Sequence, residues 1–241
     1  MKIFQAAPNT APIIMIYGHE GRGKTTLASK SPKPLAFLLE RGLPKGVTMD
    51  AVDAASFDAV MAALRELYQD PQGYETIIFD TVDALEPMVI DWTCRTNGWR
   101  NIEQPSYGKG YIAADDTWRT FIKAITALRD KHNIAIVMTC HAAIERFDDP
   151  RAPSFTAYAP KLHRRARGLV VDACDAVFFL DHDLRTVTDG NDRIRAEAGA
   201  GRFLFTEGRA SFTAKNRWGM PAKMPLASDF DFSELAKYWL G

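Results

Sequence analysis

The stretch Gly18-His19-Glu20-Gly21-Arg22-Gly23-Lys24-Thr25 decides the fold of this 241-residue chain. It fits the pattern GxxxxGK[ST] at every fixed position. The apolar run of residues 13–17 (IIMIY) precedes it, and the helix-forming Thr26-Leu27-Ala28 follows it. Glycines at these positions let main-chain N–H groups turn inward around phosphate oxygens. The sequence therefore predicts a phosphate-binding loop between a buried strand and a helix.

This loop has a predicted role for each of its polar groups. Lys24 is expected to reach the β- and γ-phosphates of a nucleoside triphosphate, and the Thr25 hydroxyl is expected to ligate Mg²⁺. The alternative, a glycine-rich turn that only caps a helix, leaves the complete motif unexplained. ATP and Mg²⁺ are thus the indicated cofactors. The residues expected to contact the nucleotide are Gly18, His19, Glu20, Gly21, Arg22, Gly23, Lys24, Thr25 and Thr26.

Short apolar runs alternate with helical patterns along the rest of the chain. Ser56 is predicted to cap one helix, and residues 113–132 have the spacing of a longer amphipathic helix. Such alternation indicates an α/β fold with a mostly parallel central sheet flanked by helices. The predicted strands are residues 13–17, 35–39, 76–79, 134–138 and 176–180.

The last third of the chain follows a different pattern. Residues 202–206 predict antiparallel strands at one edge of the sheet, and residues 233–240 predict a short closing helix. We expect one domain over residues 1–241, with a core at about 11–183 and a C-terminal β-hairpin region and helix at about 184–241. Residues 97–111 and 142–161 have no sustained period and are predicted to be long irregular segments of the kind that carry function.

Polar side chains follow three of the predicted strands. Asp80 ends one strand, and its carboxylate is expected to bind the Mg²⁺ shell from the strand next to the phosphate-loop strand. Glu40 follows another and is the candidate group that orients or deprotonates water. His141 follows a third and could sense the γ-phosphate. The alternatives are a surface glutamate and a loop histidine.

Composition excludes several classes of protein. Apolar residues at 46% and charged residues at 25% are typical of a soluble globular chain, and no apolar run is long enough to cross a membrane, so we expect a cytoplasmic protein. A formal net charge of zero argues against nucleic-acid binding by overall positive potential. Cys94, Cys140 and Cys174 lack metal-site spacing and are expected to be free, buried thiols.

Taken together, the motifs resemble those of phage-encoded RecA-like ATPases, and most closely the single-strand-annealing recombination proteins of the Sak-four class. The resemblance spans residues 11–225. It rests on the order of GHEGRGKT, Glu40, the IIFDT strand, the YGKGY loop of residues 107–111, Thr139-Cys140-His141, and Lys215-Asn216-Arg217-Trp218-Gly219. It implies a RecA-like core that binds and anneals single-stranded DNA with ATP, as a ring or filament, beside a single-strand-binding protein.

The resemblance also implies roles for individual residues. Glu40 would be the catalytic glutamate, Asp80 the Walker B aspartate, and His141 the switch that couples nucleotide state to the following loop. The stretch KNRWG is similar to the KNRFG motif of the RadA branch, with Trp218 in place of phenylalanine. Lys215 and Arg217 would then complete a nucleotide site across a subunit boundary, with Arg217 as an arginine finger. Two basic residues on a solvated hairpin are the alternative.

Two loops combine cations with aromatic rings, as sequence-tolerant binding of single-stranded DNA requires. Packing against neighbouring subunits is the alternative for both. The order of the two loops along the chain resembles that of the DNA-contacting loops of RecA-like proteins. The candidate DNA-binding residues are Trp99, Arg100, Tyr107 and Lys109 in the first loop, and Arg146, Phe147, Arg151, Phe155, Tyr158, Lys161, Arg164 and Arg165 in the second.

The leading functional hypothesis is an oligomeric, ATP-dependent protein of phage homologous recombination that binds single-stranded DNA, with slow or DNA-stimulated ATP hydrolysis. A motor or loader ATPase of the RadA or helicase kind shares the same core. A small-molecule phosphotransferase on a P-loop scaffold is a third reading, although it would require an arginine-rich lid. A module that binds ATP without hydrolysing it is a fourth.

Overall fold

The computed structural model describes residues 11–40, 42–148, 153–188, 194–227 and 229–239. Strands and helices alternate through the first two thirds of these residues, as predicted. The strands are β1 (Ile13–Gly18), β2 (Pro34–Leu38), β3 (Asp50–Val52), β4 (Thr76–Asp80), β5 (Ala135–Phe147), β6 (Phe155–Pro160), β7 (Ala176–Thr188), β8 (Ile194–Phe205) and β9 (Lys223–Leu226). The helices are α1 (Lys24–Ala28), α2 (Phe57–Gln69), α3 (Val82–Asn97), α4 (Lys109–His132), α5 (Arg164–Ala173) and α6 (Ser233–Ala236).

One sheet organises the chain, with the strand order β3-β2-β4-β5-β1-β7-β8-β9. The pairs from β3 to β7 are parallel, whereas β8 and β9 add antiparallel strands at one edge. The prediction of a mostly parallel sheet with an antiparallel edge near the C-terminus is confirmed. Parallel strands run in the same direction, so Gly18 of β1, Asp80 of β4, His141 of β5 and the residues after β2 lie toward a common edge.

Side chains alternate between the two faces of the sheet. In β1, Met15 and Tyr17 pack in the core beneath α2, α3, α4 and α5, while Ile14 and Ile16 pack on the other face with α1 and the C-terminal segment. Both faces of the central strands are therefore covered, which explains why these strands have continuous apolar runs instead of alternating ones. The three cysteines are free and buried, as expected.

Two helices begin at residues whose side chains accept a main-chain N–H. Ser56 accepts from Ala59 at 3.2 Å and starts α2, as predicted. Thr81 accepts from Ala84 at 3.4 Å and starts α3 directly after β4. The long helix α4 begins at Lys109, four residues before the predicted start, because Gly108 turns the chain with a φ of 69°.

The prediction of an irregular segment over residues 142–161 is wrong. Strand β5 continues to Phe147 and pairs antiparallel with β6 from Ala142↔Pro160 to Phe147↔Phe155, which makes a hairpin beyond the sheet edge. Each of its strands is stabilised by the other, so neither has a strong local pattern in the sequence. We call the paired segments 142–147 and 155–160 the hairpin. At the other end of the chain, α6 is shorter than the predicted helix over residues 233–240.

Candidate nucleotide-binding site

The phosphate loop follows β1 at the carboxyl edge of the sheet. Three of its glycines occupy positions where a side chain would clash or where φ is positive. A Cβ on Gly18 would lie 2.2 Å from the carbonyl oxygen of Leu180 in β7. Gly21 and Gly23 have φ angles of 71° and 92°, in the left-handed region that glycine adopts at little cost. The main chain thus adopts the conformation that the motif requires.

Lys24 and Thr25 lie where the motif predicts. The Lys24 ammonium is buried and donates to the carbonyl oxygens of Gly18 and His19, each at 3.0 Å. Burial lowers the pKa of Lys24, against the nearby carboxylates of Asp83, Asp80 and Glu40, which raise it. A buried cation that contacts only carbonyls among the described residues fits an anionic ligand such as a triphosphate.

Asp80 and Thr25 together offer oxygen ligands of the kind that Mg²⁺ prefers. The Thr25 hydroxyl donates to Asp80 Oδ2 at 2.9 Å, and the Thr139 hydroxyl donates to Asp80 Oδ1. The expectation that Asp80 comes from the strand next to β1 is wrong, because β5 lies between β4 and β1 in the sheet. Asp80 still reaches Thr25, because Thr25 lies in the first turn of α1 above the same carboxyl edge of the sheet.

A polar cluster lies beside this pair and joins three segments of the chain. Glu40 Oε1 accepts a hydrogen bond from the Thr81 hydroxyl at 2.8 Å. His141 donates its main-chain N–H to Asp83 Oδ1 at 3.0 Å, and its ring Nδ1 lies 2.8 Å from Asp83 Oδ2 and 3.6 Å from Glu40 Oε1. The candidate base Glu40 and the candidate sensor His141 are therefore neighbours, and Asp83 holds His141 in place.

Sequence reasoning missed Asp83, which lies in the first turn of α3. Its signal was available, because an acidic residue two positions after a helix-capping threonine that directly follows a strand must lie at the carboxyl edge of the sheet. The side-chain donor atoms of Glu40, Asp83 and His141 all lie within 4.8 Å of one another, so the cluster could also hold a divalent cation. The hydrogen bonds already satisfy the ring Nδ1 of His141.

Asp83→Asn is expected to lower the free energy of unfolding at pH 7 by about 1–3 kcal/mol, because it weakens two hydrogen bonds to His141. Burial raises the pKa of Asp83, but the hydrogen bonds from His141 and Thr81 outweigh it and hold the pKa below its usual range. The carboxylate therefore stabilises the fold above about pH 4, and this contribution is lost as pH falls through the folded-state pKa.

Urea unfolding of Asp83→Asn and wild type at neutral and acidic pH measures this effect. The difference in the free energy of unfolding between wild type and Asp83→Asn should decrease as the pH falls below about 4. Asp91→Asn, on the exposed side of the same helix, is the control. An equal difference in unfolding free energy at both pH values would show that the charge of Asp83 does not stabilise the fold.

The remaining residues of the phosphate loop contact β7 and β6. Arg22 Nε lies 2.8 Å from Asp181 Oδ1, and His19 Nε2 lies 3.9 Å from Asp181 Oδ2. The His19 ring also packs edge-on against Tyr158, with the ring centres 4.8 Å apart. Asp181 is a further residue of the site that sequence reasoning missed, since nothing local distinguishes it from other strand aspartates.

Lys215 and Arg217 lie away from the phosphate loop of their own chain. Lys215 pairs with Val177 through both main-chain hydrogen bonds, and Arg217 forms an ion pair with Asp175 at 3.1 Å. Asp175 comes just before β7 and accepts from Ile13 N, so Arg217 lies at the opposite edge of the sheet, roughly 17 Å from Gly18 along β1. A role for Arg217 at a nucleotide therefore requires a neighbouring subunit.

Several candidate DNA-binding residues already have partners within the chain. Arg165 forms a two-pronged ion pair with the buried Asp115, and Arg146 pairs with Asp148 at 3.1 Å. Tyr158 stacks on Phe179 in the core. Phe147 and Phe155 stack on each other across the hairpin, with ring centres 5.9 Å apart, and Trp99 is half-buried against the core. Arg151 lies outside the described residues.

The other candidates form an exposed group that we call the basic rim, defined as Arg100, Tyr107, Lys109, Lys161 and Arg164. Among the described residues, none of its four cations lies within ion-pair distance of a carboxylate. Tyr107 is 92% exposed. The rim joins both predicted loops, because Tyr111 of α4 stacks on His163 at a ring distance of 4.2 Å and brings the first turns of α4 and α5 together.

The sheet, the phosphate loop and the Thr25–Asp80 pair define a P-loop nucleotide-binding protein. The sequence profile of the AAA domain family matches residues 10–218. The chain therefore belongs to the AAA domain family of P-loop ATPases. It is also similar to the SPbeta prophage-derived uncharacterized protein YorG of Bacillus subtilis (strain 168), with 27% identity over 174 residues. That match covers 70% of this chain but only 50% of the relative, so the chain spans about half of its length.

No helix in the described ranges is long and apolar enough to cross a membrane.

Proposed function

We propose that this protein is a RecA-like ATPase that binds single-stranded DNA and anneals strands as an oligomer in phage homologous recombination. ATP binding at the phosphate loop acts as the switch in this proposal, and Mg²⁺ is held by Thr25 and Asp80. The similarity to a prophage-derived protein supports a phage setting. A single-strand-binding protein is the expected companion.

The observation that carries the proposal is the basic rim. Its cations have no acidic partner in the described part of the chain, and an exposed tyrosine lies among them. Cations that contact phosphates and aromatic faces that stack on bases are the two elements of sequence-independent binding to single strands. A cleft of about 770 Å³ extends inward from Arg100 and Lys161 of the rim, and four carboxylates also line it, Asp83, Glu86, Asp91 and Glu145. We therefore infer that a strand crosses the rim and does not enter the cleft.

Helix α5 has an unfavourable arrangement of charge at its amino end, and this arrangement supports a role for Arg164 in DNA binding. Its first turn carries Arg164, Arg165 and Arg167 and no acidic residue, although positive charge is unfavourable at the amino end of a helix. The carboxylate of Glu86 partly compensates by accepting from His163 N at 2.9 and 3.1 Å. Arg165 and Arg167 have acidic partners, whereas Arg164 has none among the described residues. A charge that weakens its own helix is expected to serve binding.

The nucleotide site and the rim are mechanically connected. Strand β5 runs through His141 directly into the hairpin, and Lys161 at the end of the hairpin donates its main-chain N–H to His141 O at 2.9 Å. A shift of His141 on nucleotide binding would therefore move Lys161. Arg217, with its side chain 65% exposed, is available to a neighbouring subunit and supports an oligomer that forms along the strand.

Binding of a fluorescein-labelled oligothymidylate, followed by anisotropy, tests the proposal. Affinity should rise with a slowly hydrolysed ATP analogue and fall with salt. Complementary labelled strands should anneal faster with the protein than without it. No binding of single-stranded DNA in any nucleotide state would contradict the proposal, and DNA-driven translocation with no annealing would favour a motor of the helicase kind.

Arg164→Gln should weaken binding to the oligothymidylate about threefold to tenfold at moderate salt and reduce the slope of log Kd against log salt by about 1, because one phosphate contact is lost. The fold should be unaffected, since the change removes a cation from the amino end of α5. Arg65→Gln on the exposed side of α2 is the matched control. Wild-type affinity and salt slope in Arg164→Gln would remove Arg164 from the DNA path.

A further inference from the structure

Arg202 of β8 lies against the phosphate loop, in a part of the chain where the sequence has no motif. Its Nη1 donates to Arg22 O at 3.3 Å. A Cβ built on Gly23 would lie 2.4 Å from the same Nη1, so the guanidinium fills the space that a side chain at position 23 would take. The loop and Arg202 are therefore packed together, and a side chain at position 23 would displace the guanidinium from this space.

The charge of Arg202 is not neutralised by the described residues. No described carboxylate lies within ion-pair distance of it, whereas the neighbouring Arg22 is held by Asp181 at 2.8 Å. A guanidinium has five N–H donors, and the contact with Arg22 O uses one of them. A half-buried cation with unused donors beside the phosphate loop can form charge-assisted hydrogen bonds with an anionic ligand.

A small cavity beside Arg202 has no acidic residue in its described lining. Arg202, Gly23, Thr26 and Lys30 line a small cavity of about 30 Å³ between α1 and the C-terminal segment, and its other walls are apolar. None of these lining residues is acidic, so no carboxylate of the described lining opposes an anion beside Arg202.

We propose that Arg202 is a further cation of the nucleotide site and contacts a phosphate of the bound nucleotide. Asp181 forms an ion pair with Arg22 and so neutralises its charge. Arg202, opposite His182 in the β7–β8 ladder, has no such partner among the described residues and can bind the ligand. The antiparallel edge near the C-terminus is then part of the nucleotide site. The inference rests on the proposed nucleotide binding, and it does not depend on DNA.

Calorimetric titration of ADP with Mg²⁺ into the intact protein tests this inference. Arg202→Gln should weaken ADP binding about tenfold to a hundredfold, because a charge-assisted contact is lost. It should also reduce the salt dependence of the ADP dissociation constant, and Arg202→Lys should recover most of the affinity. Arg209→Gln, an exposed arginine further along the same C-terminal region, is the control and should bind ADP like wild type.

The titration distinguishes failure of the Arg202 inference from failure of the proposed nucleotide binding. Wild-type ADP affinity and salt dependence in Arg202→Gln, with or without a lower melting temperature, would show that Arg202 only supports the loop, and the inference would be wrong. Equal loss in Arg202→Gln and Arg202→Lys, with unchanged salt dependence, would also overturn it. If the wild-type protein bound no ADP, the proposed nucleotide-dependent function itself would fail.

Discussion

Lys24→Met should abolish measurable nucleotide binding, with a loss of at least about a hundredfold in ADP affinity. The Lys24 ammonium is the buried cation of the phosphate loop, and it is held only by the carbonyl oxygens of Gly18 and His19 among the described residues. These carbonyls cannot compensate its charge as a phosphate would. Calorimetric titration of ADP measures the loss, and Lys123→Met on the exposed side of α4 is the control.

The same variant should be at least as stable as wild type in the absence of nucleotide. Burial lowers the pKa of Lys24, so the folded state disfavours the charged ammonium, and this cost is present at pH 7. A methionine of similar length removes that cost, and an increase of about 1 kcal/mol would raise the melting temperature by about 2–4 °C. A Lys24→Met protein that unfolds readily, or that binds ADP like wild type, would contradict this account of the site.

Glu40→Gln should lower ATP turnover by about 10²- to 10⁴-fold while ADP affinity stays close to that of wild type. The amide oxygen of glutamine can still accept the hydrogen bond from the Thr81 hydroxyl, which Glu40 Oε1 accepts at 2.8 Å. The geometry is thereby preserved and only the basic carboxylate is lost. Glu40 does not contact the phosphate loop through any described hydrogen bond, so binding should not depend on it.

Single-turnover and steady-state phosphate release, with and without single-stranded DNA, measure the effect of Glu40→Gln. Glu66→Gln on the exposed side of α2 is the matched control. Turnover at the wild-type rate in Glu40→Gln would remove Glu40 from the chemistry and direct attention to His141, which lies 3.6 Å away and is paired with Asp83. No turnover in the wild type, with or without DNA, would make the protein a nucleotide-binding switch without hydrolysis.

The local parts of the site could be read from the chain because they depend on short-range rules. The phosphate loop requires glycines at fixed spacing, and it is recognisable between Ile16 and Leu27 without any long-range information. Asp80 is recognisable in the same way, because a carboxylate directly after the apolar run Ile77-Ile78-Phe79 marks the carboxyl end of a buried strand. The position of Asp80 relative to Lys24 could not be predicted, because neither local segment specifies the order of the strands in the sheet.

The hairpin shows the opposite case. Residues 142–147 and 155–160 have weak strand patterns, and each becomes a strand only because the other pairs with it. The net charge of a local segment is an equally poor guide to the charge of the folded surface. Arg165 is neutralised by Asp115, 50 residues earlier in the chain, so a local excess of cations overstated the positive surface.

By itself, the sequence determined that this chain has a phosphate loop after a buried strand, that its sheet is mostly parallel, and that Asp80 and Glu40 end strands at one edge. These conclusions follow from main-chain geometry and side-chain periodicity, which act over a few residues. Only the tertiary structure decided that β5 separates β4 from β1, that Asp83 holds His141, and that Arg202 lies against Gly23. Those contacts join residues far apart in the chain, and the packing of the whole sheet and its helices selects them.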